Sequence, residues 1–318
     1  MANCHSLFST FNGELQITST KRANLIKSKD ALRKAIIKWF KENHPEYVPK
    51  FWIQGSYKMK TVIRTKDDMC DLDDGIYFLC EPDVTPATLQ NWVYQAVCDH
   101  TKEGATRHRK CVRVHFAKDY QIDLPIYKKA DGDDHPWLCV KGGTWAEEQS
   151  DPKEFVEWYD EERNHQLTRI IRYLKSWGDT VRHNMLSGLA MTLVAQANYD
   201  EDDRDDQALY NILVAIRSSL KSNWQAKMPT TPGDDILAEY DHDFRDRFFS
   251  HLDSFIEDAK NALEQESEKK ASNLWRKHLG KRFPEGEDDD AKTDNVNRLK
   301  EVASRGTVAP YWGGKVSN

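Results

Sequence analysis

The chain is predicted to fold as an α+β protein of two lobes, a mixed-sheet lobe followed by a helical one. Three observations predict this. Short runs between residues 50 and 127 alternate apolar and polar side chains, the period-two pattern of half-buried strands. A long amphipathic run precedes them. From Asp151 onward apolar residues recur at helical spacing.

Taken in order, Lys21 to Asn43 reads as a helix, because Leu25, Ile26, Leu32, Ile36, Ile37 and Phe40 fall near one stripe. His44-Pro45-Glu46 ends it. Lys50 to Gln54 reads as a short strand running into Gly55-Ser56, followed by a polar stretch from Tyr57 to Asp68. Cys70 to Leu79 (CDLDDGIYFL) reads as a second strand with acids in it. Pro86 to His100 has helical spacing through Leu89, Trp92, Val93, Ala96 and Val97. Cys111 to Ala117 and Tyr120 to Tyr127 alternate cleanly, and Lys118-Asp119 between them suits a tight hairpin turn. Asp151-Pro152 is a cap followed by proline at the first helical position. Helices are expected at 152–178, 186–198, 207–222, 242–268 and 270–279. The division expected is 1–150 for a catalytic lobe and 151–318 for a helical lobe closing a cleft.

Composition narrows the function classes. The 318 residues are 39% hydrophobic, enough for a real core, and 31% charged. A net charge of -6 argues against a chain whose main task is gripping long nucleic acid. The six cysteines form no C-x-x-C pair and suit a reducing compartment. Residues 1–20 carry no signal pattern, and no run approaches the ~18–20 apolar residues of a membrane span. A soluble, cytoplasmic protein with no membrane partner is expected.

The chemistry centres on Asp71-Leu72-Asp73. On a strand, residues two apart share a face, so two carboxylates stand side by side while Cys70, Leu72 and Asp74 face away. Like charges this close repel unless a cation lies between them, and hard oxygen ligands select Mg²⁺ or Mn²⁺. Asp123, between Ile122 and Leu124 on a later strand, is a candidate third ligand. Alone, Met69 to Gly75 reads more readily as a turn, since Asp is depleted in strands. Gly55-Ser56 supplies context: a strand end where backbone N–H groups and a hydroxyl can cradle phosphate. Tyr57 beside it is a candidate for stacking on a base. The acidic runs 200–206 and 285–290 read as solvated loops.

In sequence, QGSYKMKT, DLDDGIYF and QIDLPIY resemble the DNA polymerase β-like nucleotidyltransferases. They look most like the bacterial cGAS/DncV-like nucleotidyltransferases (CD-NTases), which make cyclic di- or trinucleotide second messengers in antiphage defence. The resemblance covers roughly Lys21 to Tyr127. It implies the two-lobed polymerase β-like fold, a pair of Mg²⁺ or Mn²⁺ ions on Asp71, Asp73 and Asp123, and a donor triphosphate on Gly55-Ser56. It sets Asp74 aside. In the helical half it implies a phosphate contact at Lys175, within LTRIIRYLKSW, and another at Ser187, within HNMLSGLA. Pro229 to Leu237 resembles the family stretch beside the nucleobase, which makes Asp234 and Asp235 candidates. Leu274 to Pro284 resembles a common C-terminal pattern of the family.

By this resemblance ATP, GTP or another nucleoside triphosphate is the substrate, pyrophosphate leaves, and defence-operon proteins are partners. Activation by duplex DNA is not expected, because no Cys/His cluster suits a zinc-bearing insertion. Template-independent RNA or tRNA-type transfer, nucleotidylation of protein hydroxyls, and a catalytically inactive nucleotide sensor share the same core and are the alternatives. Some members of the family are joined through their C-terminus to a partner by ubiquitin-like transfer, which the tail Gly313 to Asn318 neither supports nor excludes.

Overall fold

The computed structural model describes residues 2–117, 119–145 and 148–287. The C-terminal tail and part of the acidic run 285–290 lie outside the described residues. The chain order is α1 (His5–Leu15), α2 (Ser19–Asn43), β1 (Pro49–Gln54), α3 (Gly55–Lys58), β2 (Asp71–Phe78), α4 (Pro86–Val97), β3 (Ala105–Arg107), β4 (Cys111–Phe116), β5 (Tyr120–Lys128) and β6 (Trp137–Leu138). The helical half follows as α5 (Pro152–Glu162), α6 (His165–Val181), α7 (Gly188–Asn198), α8 (Asp205–Ser222), α9 (His242–Glu264) and α10 (Glu268–Leu279).

The sheet runs β1-β2-β5-β4-β3, with β6 on β5. The pair β2–β5 is parallel and the other pairs are antiparallel, so the sheet is mixed as expected. Its apolar face carries Leu72, Ile76, Val112, Val114, Ile122 and Leu124, all fully buried. Leu25, Leu32, Ile36 and Phe40 of α2 and Leu89, Val93 and Val97 of α4 complete that core. The 3.6-residue stripe of α2 thus meets the two-residue alternation of the strands. Thr18 caps α2 and Thr85 caps α4 through their side-chain oxygens, each with the first turn's free N–H groups as partners.

Three expectations need correction. The helix expected at 152–178 is two helices. Asn164 leaves helical geometry, and its side chain accepts a hydrogen bond from Leu167 N at 2.7 Å, starting α6 afresh. The hairpin turn between β4 and β5 is longer than two residues: Ala117 leaves the strand at φ +40, and Phe116, not Ala117, faces Tyr120. Lys118 itself lies outside the described residues.

Finally, α1 precedes the sheet in the chain but packs with the helices. Phe8 meets Tyr173, Trp275 and Phe283 at ring-centroid distances of 5.1, 5.0 and 4.8 Å. An aromatic stripe on a short helix is buried where aromatic partners exist, and here those lie in α6, α10 and the segment after it. Residues 1–150 therefore do not pack as one unit.

Candidate active site

Between the sheet edge and the helices lies a cavity of about 620 Å³. Its floor is the start of β2. Asp71 and Asp73 line it, while Leu72 and Asp74 between and beside them are fully buried on the other side. Asp74 is held there by the Arg33 guanidinium from α2, whose Nε donates to Oδ2 at 2.7 Å. The alternation expected from the sequence is thus the geometry observed. It separates two cleft carboxylates from one structural carboxylate.

The register places the neighbours. Asp73 lies opposite Gln54 of β1 on one side and opposite Asp123 of β5 on the other. Gly55 directly follows Gln54, so the chain turns beside the Asp73 side chain. At Gly55, φ is +63, and a Cβ there would overlap the Asp73 carboxylate. Two independent demands, left-handed backbone and close approach of a carboxylate, require glycine at this position. Ser56 is the second residue of the single turn of α3 and lines the cavity beside Gly55.

The helical lobe contributes a cation. Lys175 of α6 donates through Nζ to the Thr61 hydroxyl at 3.0 Å. Its stem lies over Gly188, where a Cβ would come within 3.3 Å of the lysine Cε. Arg169, one turn and a half earlier on the same helix, is spent on buried Asp205, and Arg172 on the Lys60 carbonyl and Asn12. Ser187 is exposed at the cavity's edge between the lining residues Leu186 and Gly188. It caps α7, accepting from Ala190 N at 3.1 Å.

The electrostatics follow from crowding. Burial and then the Asp123 charge raise the proton affinity of Asp71, with Lys175 and Arg113 opposing. Asp73 is pushed well above the usual carboxylate range by burial, then by Asp71 and Asp123. Burial pulls Lys175 down to about 8, against the attraction of Asp71 and Asp73. All three groups are poised to accept an ion or polyanion that relieves these strains.

Asp123 is placed differently from the other two acids. It is directly opposite Asp73 in the register, yet both its oxygens accept from Arg113 of β4 at 2.7 Å. Arg113 lies opposite Asp123 on the neighbouring strand, so the pair is a cross-strand fork. Among the described residues, the three carboxylates do not converge to within ligand distance of one another; the His/Asp/Glu set that does is His135, Asp151 and Glu154. As carboxylate oxygens on one face, Asp71 and Asp73 fit a hard divalent ion. Asp123 fits once Arg113 releases it.

The remaining candidates lie elsewhere. Tyr57 does not line this cavity; it lines a neighbouring hollow, with the Arg22 guanidinium 5.7 Å over its ring. Asp234 is exposed, and Asp235 is occupied in its own loop, accepting from Ala226 N and Leu237 N at 2.8 and 3.1 Å. Met228 and Thr231 of the same segment do line the cavity. So do Ser150, Asp151 and Phe155 at the start of α5, which carried no signal in the sequence beyond the Asp-Pro cap.

Residues 49–127 match the family described as cyclic GMP-AMP synthase DncV-like, nucleotidyltransferase domain. A cyclic GMP-AMP synthase of Escherichia albertii is 25% identical over 202 residues, covering 57% of this chain and 44% of that protein. The chain thus spans less than half the length of this curated relative. Among solved structures, the Vibrio cholerae DncV cyclic AMP-GMP synthase superposes with a TM-score of 0.75 at 16% identity, over 89% of this chain and 97% of that one. The same protein in complex with the linear intermediate 5′ pppA(3′,5′)pG gives 0.77 at 17% identity, over the same shares, 89% and 97%. At these identities the structures show a shared fold.

Proposed function

We propose that this chain, whose residues 49–127 match the DncV-like nucleotidyltransferase domain, joins nucleoside triphosphates into a cyclic di- or trinucleotide with loss of pyrophosphate. The observation that carries the reading is the pairing of Asp71 and Asp73 on one face, beside a glycine that their geometry requires, in a cavity shared with Lys175. About 620 Å³ lies within the usual range for a small-molecule site.

In this reading the donor triphosphate lies on the Gly55-Ser56 turn. Lys175 pairs with its phosphates, and an incoming polyanion stabilises the lysine charge that burial disfavours. Asp71 and Asp73, with Asp123, would hold divalent magnesium or manganese. Bound there, such an ion neutralises phosphate charge and makes a ribose hydroxyl more acidic. Asp123 leaves Arg113 and takes the ribose proton. The ribose oxygen bonds to the α-phosphorus as the bond to pyrophosphate breaks in line. Ser187 and the loop containing Met228 and Thr231 border the same space and would contact the triphosphate and the base. A second transfer with the roles of the nucleotides exchanged closes a two-nucleotide ring, and a three-nucleotide ring takes a third.

The solved DncV bound to ATP, GTP and a linear dinucleotide supports nucleotides as substrates here. The family resemblance supports a cytoplasmic role in antiphage signalling with defence-operon partners. No described helix is long and apolar enough to cross a membrane. The test is incubation with each labelled nucleoside triphosphate, and with all four, in Mg²⁺ or Mn²⁺, followed by phosphatase and separation of products. A phosphatase-resistant small molecule is expected. Label on protein, or on a growing linear chain, would replace this reading with another transferase activity.

A further inference from the structure

We propose a second cation site, for a transition-metal ion such as zinc, on His135, Asp151 and Glu154. These residues come from three places: the segment before β6, the cap of α5 and the first turn of α5. One ligand atom from each lies within 4.8 Å of the others. His135 Nδ1 is 3.3 Å from Asp151 Oδ2 and 3.8 Å from Glu154 Oε2. Ligands held roughly 2.0–2.2 Å from a tetrahedral ion stand about 3.3–3.6 Å apart, close to these spacings.

Asp151 divides its two oxygens between separate roles, and Glu154 Oε2 keeps a second lone pair beside the one that Thr231 N uses. Asp151 uses Oδ1 to cap α5, accepting from Lys153 N and Glu154 N at 3.2 Å, while Oδ2 points to the imidazole. Glu154 Oε2 accepts from Thr231 N at 3.0 Å, tying the loop around Pro229–Gly233 to the helix start. Side-chain exposures of 34%, 13% and 41% for His135, Asp151 and Glu154 leave an approach from solvent. One imidazole with two carboxylates selects zinc, nickel, cobalt or copper over magnesium, which prefers oxygen alone. The site is separate from Asp71 and Asp73, although Asp151 and Thr231 line the same cavity. An ion here ties the segment before β6, α5 and the loop holding Thr231 together at the cavity's rim. This proposal does not depend on nucleotidyl transfer.

The test is zinc binding to the full chain by calorimetry in excess Mg²⁺, with Co²⁺ absorption in the visible as a second probe. Four proteins are compared: the wild type, His135→Ala, Glu154→Gln and the double variant Asp71→Asn/Asp73→Asn. The wild type and the double variant are expected to take one high-affinity ion and to melt at higher temperature with zinc. His135→Ala should lose the cobalt spectrum and bind zinc at least about tenfold more weakly, as expected when one of three ligands goes. Glu154→Gln keeps an acceptor for Thr231 N and should bind weakly while melting near the wild type without zinc. No zinc uptake by the wild type, unchanged binding by His135→Ala, or loss confined to the Asp71/Asp73 variant would each overturn the proposal. The free cysteines are the same in all four proteins, so any zinc they took would not mimic the expected pattern.

Discussion

Asp73 and Asp74 are neighbours in the chain and opposites in what they do. Asp74 is a buried carboxylate answered by Arg33, and Asp73 is a crowded carboxylate beside Asp71 in the cavity. Removing the first charge leaves a guanidinium short of its partner. Asp74→Asn is therefore expected to lose about 2 kcal/mol or more in denaturant melts. Removing the second charge relieves repulsion. The folded state raises the proton affinity of Asp73, so this carboxyl favours folding below the ordinary carboxylate range. That contribution is lost as pH rises through its folded value. At pH 7 the crowded pair is a net cost, so Asp73→Asn should melt higher than wild type, on the order of 1 kcal/mol or ~2–4 °C. The advantage should shrink as pH falls toward 4, and thermal melts across pH check it. Gly55→Ala should lose at least about tenfold in activity, because its Cβ displaces the Asp73 carboxylate. Wild-type turnover by that variant would show that the close approach is not needed.

Not every residue of the site was legible. The two-residue period put Asp71 and Asp73 on one face without any structure. Arg113 was hidden, because its partner depends on register. Had Ala117 paired with Tyr120 across a two-residue turn, Arg113 would have faced Leu124. The longer turn moves every partner by one, which brings Arg113 to Asp123.

At the scale of elements, capping explains what periodicity cannot. Ser187 is exposed beside the cavity and also begins α7. Ser187→Ala should therefore lower stability by about 1 kcal/mol with no nucleotide present. Only a further loss in nucleotide affinity, read by calorimetry, belongs to phosphate contact. Lys175 behaves in the opposite sense to Asp73 with pH. Its folded proton affinity falls from an ordinary 10.5 to about 8, so the unfolded chain holds more protons between those values. Its burden on stability is present below pH 8 and is relieved as pH rises toward 10.5. Lys175→Met should consequently be tolerated or stabilising at pH 7 in thermal melts, while nucleotide affinity falls. The helix split at Asn164 was marked by a capping residue, yet the apolar stripe runs on through it. Helix α1 was overlooked because eleven residues give a short pattern, and its value lies in aromatic partners more than 150 residues away.

At the scale of the whole molecule, the sheet lobe was legible because each strand alternates and each helix keeps one stripe. Which surfaces meet was not, since packing between lobes is set by shape rather than period. Phe8 and Phe11 therefore cross a boundary that the chain order suggested, and Tyr57 faces away from the cavity that its neighbour Ser56 lines. The result is a cavity whose acids come from the sheet and whose lysine comes from the helices, so the proposed chemistry needs both lobes. The most direct measurement compares wild type, Asp73→Asn and Asp74→Asn for conversion of labelled nucleoside triphosphates to phosphatase-resistant product, below the melting temperature of all three. Product from wild type and Asp74→Asn, with none from the more stable Asp73→Asn, is the predicted result. Product from Asp73→Asn at the wild-type rate would contradict it.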